Sequence, residues 1–117
     1  MQGLSLINPN CSHSTATKEE FFEVQKILTA AYLKEYHINE IKLNPYQVYG
    51  YYTIPHALLY DLQKSGINSL DILVIYSFSV IERFTELYPE KWEQLKHCFG
   101  EIVFLSETLQ VSHSAAP

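Results

Sequence analysis

The chain has 117 residues, of which 47% are hydrophobic and 18% charged, and its formal net charge is −5. This length allows one folded domain with one core, and the composition excludes a disordered chain. With only eight lysines and arginines, the chain lacks the basic surface that usually grips DNA phosphates, which argues against autonomous DNA binding.

The two cysteines, Cys11 and Cys98, are too few and too far apart to predict a disulfide framework or a zinc site, so we expect reduced thiols. No apolar run approaches the roughly 20 residues that span a bilayer. The first residues also lack the basic flank and long apolar stretch of a signal peptide. These features predict a cytoplasmic protein with no membrane partner.

Strand and helix patterns alternate in the first half of the chain. Residues 3–7 predict a short buried strand, which the following Asn-Pro-Asn ends. Thr17 and Glu20 form a capping-box pattern, so a helix is predicted from there to about Tyr36. Its apolar residues recur at helical spacing and are predicted to face the core: Phe21, Val24, Ile27, Leu28, Ala31 and Tyr32. Residues 38–43 predict a second short strand.

A tyrosine-rich segment separates the second strand from the second helix. Residues 46–52 hold four tyrosines around Gly50 and predict a loop whose rings cover the edge of the sheet. We prefer this interpretation to a ligand-binding role. Pro55 predicts the first turn of a second helix, which ends at Ser65-Gly66.

The clearest strand pattern follows, and a third helix and a last strand complete the chain. Residues 70–76 are an apolar run that is typical of a central strand covered on both faces. A third helix is predicted over residues 80–99, with a break or kink at Pro89 and its end at Gly100. Residues 102–105 predict the last strand.

This β-α-β-α-β-α-β order predicts a three-layer α/β/α fold with a mostly parallel four-stranded sheet and flavodoxin-like topology. Because the second strand is the most polar, we expect it on the flank, with the first and third strands adjacent at the centre. The predicted domain covers residues 1–110, and residues 111–117 predict a flexible tail.

Ligands and catalytic groups of open α/β sheets gather at the carboxyl ends of the strands. After the first strand stand Cys11, Ser12, His13 and Ser14, which combine nucleophiles with a base. Neighbours in sequence seldom reach the geometry that such a pair needs, so a hydrolase is disfavoured. Glycine-rich phosphate loops, a nucleophile elbow and zinc-ligand spacings do not occur in the sequence. The sequence therefore predicts neither a cofactor nor a metal.

Residues 71–83 resemble the serine recombinases (resolvases and invertases), in which a buried strand runs into an Asp-Arg-Leu turn and a helix. Ile54-Pro55 is similar to the Arg-Pro helix start of that family, and Gly50 stands where its mobile loop has a glycine. Asn10-Cys11-Ser12 falls where the family has Arg-Val-Ser after its first strand. The resemblance extends over residues 3–110 and is carried by the sum of these motifs.

The resemblance implies that Ser12 stands at the position of the nucleophile that attacks a DNA phosphate, with arginines stabilising the phosphoryl oxygens. Three arginine positions hold Asn10, Ile54 and Val80, so only Arg83 remains. Each lost charge donor typically costs about 10²–10³ in rate. The resemblance therefore implies a degenerate catalytic domain, without the dimerisation helix and basic DNA-binding region of the family.

Three functional hypotheses follow from the sequence. The first is a catalytically impaired recombinase-like protein, an accessory or interaction factor linked to DNA recombination or a mobile element, with a protein partner or a second copy. The second is an active recombinase subunit that uses Ser12, with a partner that supplies the catalytic parts missing from this chain. The third is an unrelated flavodoxin-like module that binds a small molecule or a partner, for which a phosphate on the amides of residues 9–14 would be evidence.

Overall fold

Four parallel strands form one sheet in the order β2-β1-β3-β4. The computed structural model describes residues 1–12, 16–67 and 69–107. The strands are β1 (Gln2–Leu6), β2 (Asn39–Glu40), β3 (Leu70–Ile75) and β4 (Phe99–Phe104). The predicted parallel sheet, with β1 and β3 at its centre, is confirmed. The predicted tail at 111–117 lies outside the described residues.

Helices cover both faces of this sheet. The helices are α1 (Lys18–Glu35), α2 (Pro55–Ser65), α3 (Glu82–Leu87) and α4 (Pro89–His97), and a 3-10 turn spans Phe78–Val80. Side chains alternate across β3, so Ile72 and Val74 pack with Leu33 of α1, whereas Leu73 packs in the cluster that holds Leu58 of α2. The predicted three-layer α/β/α arrangement follows from this alternation.

Local sequence signals set the helix ends. The Thr17 hydroxyl accepts a hydrogen bond from the Glu20 backbone N–H at 3.1 Å, and the Thr17 N–H donates to the Glu20 carboxylate at 3.0 Å. The Thr17 N–H that donates to the carboxylate, and then a side-chain hydrogen bond from Thr17, hold the pKa of the Glu20 carboxyl below its usual value. Pro55 opens α2, and Gly66 ends it in the left-handed conformation with φ 76°. The capping predictions for these two helices are confirmed.

The predicted break at Pro89 is confirmed, and it divides the predicted third helix into α3 and α4. Pro89 opens the new helix α4 instead of kinking one that continues through it, and Tyr88 before it has a non-helical backbone. Proline has no N–H to donate and disfavours the helical conformation of the preceding residue, so the chain must break there. Gly100 lies inside β4 and does not close the helix, because the ladder with β3 already begins at Phe99.

The α1 helix buries a different face from the one that its apolar spacing predicts. The buried residues are Phe21, Gln25, Thr29 and Leu33. Val24, Ile27 and Leu28, which were predicted to face the core, are exposed. Burial of two polar residues is tolerated because both are hydrogen-bonded, with the Thr29 hydroxyl donating to the Gln25 carbonyl at 2.7 Å.

The edge strand is shorter than predicted because the chain leaves the sheet and returns. Ile41 N–H donates to Gly3 O at 3.3 Å, and the next contacts on β1 come from Tyr52, whose N–H donates to Ser5 O at 2.9 Å. Ile7 N–H then donates to Tyr52 O at 2.9 Å. Residues 42–51 are therefore an excursion out of the edge. Of the tyrosine rings predicted to cover that edge, Tyr52 is buried, whereas Tyr46 and Tyr49 are exposed.

Replacing Tyr52 by phenylalanine should lower the free energy of unfolding at neutral pH by about 1 kcal/mol. The variant should also lose less stability than the unchanged protein when the pH is raised above about 10. The Tyr52 hydroxyl donates to Asp61 Oδ2 at 2.8 Å. Burial of the ring raises the pKa of Tyr52, and the bond and charge of Asp61 raise it further. The folded pKa therefore lies above the unfolded value of about 10, so this stabilising contribution is complete below that pH and is lost above it.

Urea unfolding at neutral pH and just above pH 10 measures both effects. The matched control is Tyr60→Phe, because Tyr60 is an exposed tyrosine of α2. If Tyr52→Phe and the control lose stability with pH at the same rate as the unchanged protein, the assignment to Tyr52 is wrong.

Candidate functional site

The carboxyl ends of β1, β3 and β4 meet at one edge of the sheet. The loop after β1 covers residues 7–12, and the turn after β3 covers residues 76–81. The end of β4 adjoins that turn, because Ser106 N–H donates to Tyr76 O at 2.8 Å. In open α/β sheets this edge is where ligands bind, so it is the first candidate for a functional site.

A buried glutamine of α1 holds the loop after β1. The Gln25 side chain accepts from the Asn8 N–H at 2.8 Å through Oε1 and donates to the Asn8 carbonyl at 2.9 Å through Nε2. Gln25 is fully buried and meets both backbone groups of one residue. Sequence reasoning missed this pair of hydrogen bonds, which we call the Gln25 clamp. The only signal for it in the sequence is that Gln25 lies four residues after Phe21 and eight before Leu33, on the same face of the helix.

The loop after β1 docks on the turn after β3. Asn8 Nδ2 donates to Val80 O at 3.3 Å, and the Cys11 thiol contacts Ser79 O at 3.8 Å. Within the turn, the hydroxyls of Ser77 and Ser79 lie 2.6 Å apart and share a hydrogen bond. The two loops at this edge therefore form one connected surface.

Ser12 lies in the loop after β1, and Arg83 lies in α3 directly after the turn that the loop contacts. Ser12 follows Cys11 in the β1 loop, Arg83 is the second residue of α3, and both are exposed. The structure thus brings the elements that carry the two predicted site residues to neighbouring strand ends. His13 and Ser14, which the sequence grouped with Ser12, lie outside the described residues.

The three positions at which the resemblance would place further arginines hold uncharged residues in this chain. Val80 is buried at 6% exposure and belongs to the core cluster. Ile54 is exposed at the residue before α2, and Asn10 is exposed in the β1 loop. An arginine at position 80 would place its guanidinium into an apolar core, so the turn is built around an apolar residue.

The backbone amides of Asn8, Asn10 and Cys11 in the β1 loop already have hydrogen-bond acceptors. Asn8 N–H donates to Gln25, Asn10 N–H donates to Asn8 Oδ1 at 2.9 Å, and Cys11 N–H donates to Asn8 O at 3.4 Å. Pro9 has no N–H to offer. A phosphate cradle over residues 8–11 would need these same donors, so the described part of the loop is not arranged to hold an anion.

The Cys11 thiol in this loop is partly shielded from solvent and lies near a carboxylate. Burial raises the pKa of the Cys11 thiol, and the negative charge of Glu82 raises it further, against the opposing effect of the hydrogen bond with Ser79. A raised thiol pKa means that an anion is less stable at this point than in water.

A second concave site lies between α1 and the β2 edge, away from the strand ends. This cavity has a volume of about 430 Å³, and three charged residues, Lys26, Lys34 and Glu40, line it. Its wall also contains the buried hydroxyl of Ser5, which donates to Glu40 Oε2 at 3.5 Å. Sequence reasoning did not predict this cavity, because it depends on the excursion of residues 42–51.

Comparisons with protein-family models, curated proteins and solved structures found no match to this chain. Within residues 1–12, 16–67 and 69–107, no three His, Cys, Asp or Glu side chains come together as a group that could hold a metal ion. None of the helices in that described part is both long and apolar enough to cross a membrane.

Proposed function

We propose that this chain is a serine-recombinase-like domain that has lost strand-cleavage chemistry and acts through protein contacts, as an accessory factor in DNA recombination or for a mobile element. The element order and the sheet order β2-β1-β3-β4 are compatible with this proposal. So is the location of Ser12 in the β1 loop and of Arg83 in α3, which directly follows the adjoining turn after β3.

One observation carries the loss of chemistry: the turn after β3 turns Val80 into the core at the position where the resemblance places an arginine. Phosphoryl transfer depends on fixed positive charge around the phosphoryl oxygens. Arg83 supplies one such charge, and Glu82 beside it opposes it. The amides of Asn8, Asn10 and Cys11 already donate to Gln25 or to Asn8 and do not replace the missing donors.

We expect the purified protein neither to cleave duplex DNA nor to bind it tightly. The net charge of −5 disfavours approach to a polyanion, and few phosphates can be neutralised. The measurement is incubation with supercoiled plasmid at low salt, followed by a search for nicked product and covalent protein–DNA adducts. A mobility-shift assay at micromolar protein tests binding under the same conditions.

The control is Ser12→Ala, which removes the predicted nucleophile from an exposed loop position without disturbing the core. Adducts that form with the unchanged protein and vanish in Ser12→Ala would overturn the proposal. They would favour an active recombinase that uses Ser12. Adducts that persist in the variant would come from another nucleophile and would equally contradict the loss of chemistry.

A second candidate, binding of a small molecule, is favoured by the cavity between α1 and the β2 edge. Its volume of about 430 Å³ falls within the roughly 300–1,000 Å³ of small-molecule sites. Lys34 and Glu40 offer opposite charges over an apolar floor that includes Leu33 and Ile38, which suits a small zwitterion. A compound retained in native mass spectrometry, and lost in Glu40→Ala, would favour this candidate over an interaction role.

A further inference from the structure

The outer face of α1 carries an apolar stripe that nothing in the described part of the chain covers. Ile27 is 63% exposed, and Val24 and Leu28 are each 38% exposed. With the exposed Ala31 they follow one another at i, i+3, i+4 and i+7, which is the spacing of a buried helix face. We name Val24, Ile27, Leu28 and Ala31 the outer stripe. The helix has a second, separate face that packs on the sheet.

We infer that the outer stripe pairs with the outer stripe of a second copy of this chain, with the two α1 helices antiparallel about a two-fold axis. The inference rests on the proposed role in protein contacts and names one partner for it. A two-fold axis lets one surface meet itself, so a single apolar stripe suffices for both sides of the interface.

Helix geometry gives the register of this pairing. If the two-fold axis passes between positions 27 and 28, Ile27 and Leu28 of both copies lie at the centre of the interface. Residues at equal distances from this centre, at a rise of about 1.5 Å per residue, then face each other. Val24 of one copy then lies opposite Ala31 of the other, so a larger side chain meets a small one at each end. This arrangement interdigitates large and small residues as packed helices do.

The charged residues beside the stripe select the antiparallel direction. Glu23 and Lys34 lie on the same flank of α1 about three turns apart, because their separation of 11 residues is close to a whole number of turns. Reversing one helix brings the Glu23 of each copy opposite the Lys34 of the other, twice. A parallel pair would keep these opposite charges about three turns apart.

Forming the Glu23–Lys34 pairs between two copies costs each separate chain little free energy. Glu23 now meets Lys26 at 2.7 Å, in a pair whose Glu23 side chain is 60% exposed. An exposed pair of this kind contributes little, so exchanging it costs little. Glu20 and Glu35 lie at the two ends of the stripe, and in this register the Glu20 of each copy faces the Glu35 of the other, so these two like-charged pairs weaken the association. The same carboxylates disfavour insertion of this helix into a lipid surface.

The expected dimer is weak. A single pair of 18-residue helices covers less than the roughly 1,200 Å² buried in stable complexes. We therefore expect a concentration-dependent equilibrium with a dissociation constant in the micromolar range or above. Sedimentation velocity of the whole chain, from low micromolar to near millimolar concentration, measures this equilibrium directly.

Two sets of variants test the surface and the direction. Ile27→Glu should weaken the dimer at least tenfold, because it places a carboxylate at the centre of the interface. Its matched control is Leu87→Glu on α3, where the leucine is 58% exposed and lies outside the stripe. Glu23→Lys and Lys34→Glu should each weaken the dimer, and the double variant with both changes should restore it, because the opposite charges are exchanged but kept.

Circular dichroism and thermal unfolding of each variant confirm that the fold is unchanged, which is expected because all four positions are exposed. A protein that stays monomeric at every concentration overturns the inference, as does a dimer that Leu87→Glu weakens as much as Ile27→Glu. Failure of the double charge exchange to restore association overturns the antiparallel register. A monomer that also leaves DNA uncut would refute only the pairing, whereas a dimer that cleaves DNA would refute only the loss of chemistry.

Discussion

Replacing Gln25 by leucine should destabilise the protein by about 2–4 kcal/mol, although leucine is apolar and fits the size of the buried site. The expected cause is the backbone of Asn8, whose N–H and C=O lose the partners that Gln25 provides at 2.8 and 2.9 Å. A buried donor or acceptor left without a partner costs about 1–3 kcal/mol each. Leucine cannot replace either bond.

The free energy of unfolding from urea titration measures this effect, and hydrogen exchange of the Asn8 and Asn10 amides locates it. We expect both amides to exchange faster in Gln25→Leu, because the loop after β1 loses its anchor. Gln63→Leu on α2 is the matched control, since Gln63 is an exposed glutamine. Equal stability changes in the two variants would show that the clamp does not stabilise the fold.

Replacing Gly3 by alanine should cost about 2 kcal/mol or more, far beyond the usual effect of one added methyl group on a strand. A Cβ at this position would lie 2.6 Å from Ile72 Cγ2, 2.8 Å from Ile38 Cγ2 and 2.8 Å from the Ile72 carbonyl oxygen. The two side chains can shift, but the carbonyl oxygen belongs to the neighbouring strand and cannot. The strand must therefore move, which disturbs the pairing of β1 with β3.

Thermal unfolding provides the measurement, and we expect the midpoint to fall by roughly 10 °C. The control is Gly100→Ala in β4, where the nearest atom to a new Cβ is the Asp71 carbonyl oxygen at 3.2 Å. Both changes replace a strand glycine by alanine and differ mainly in the space available. If Gly100→Ala lowers the midpoint as much as Gly3→Ala, close packing at Gly3 is not the cause.

Local signals account for the parts of the fold that the sequence predicts. The Thr17–Glu20 capping box, Pro55 at the start of α2 and Gly66 at its end each act within a few residues, so their effect is visible in the sequence. The apolar run Ile72–Ile75 of β3 identifies a central strand for the same reason. Pro89 likewise carries the signal for the break between α3 and α4.

Contacts between distant residues account for the parts that sequence reasoning missed. The buried face of α1 includes Gln25, whose hydrogen-bond partner Asn8 lies 17 positions away. The apolar spacing of Val24, Ile27 and Leu28 indicated a buried face because such residues usually face the core. In the candidate site, the strand-end positions of Ser12 and Arg83 could be predicted, whereas the engaged amides of the loop could not.

The length of the excursion at residues 42–51 does not affect the register of the sheet. Ile41 and Tyr52 bond to the same strand β1, on Gly3 O and Ser5 O, so both ends of the segment are fixed by one neighbour. Doubling the length of a flexible loop costs only about 0.6 kcal/mol in closure entropy. The segment around the exposed Tyr46 and Tyr49 is therefore a natural place to graft a foreign peptide or a reporter domain, because the two anchors keep the strands aligned whatever lies between them.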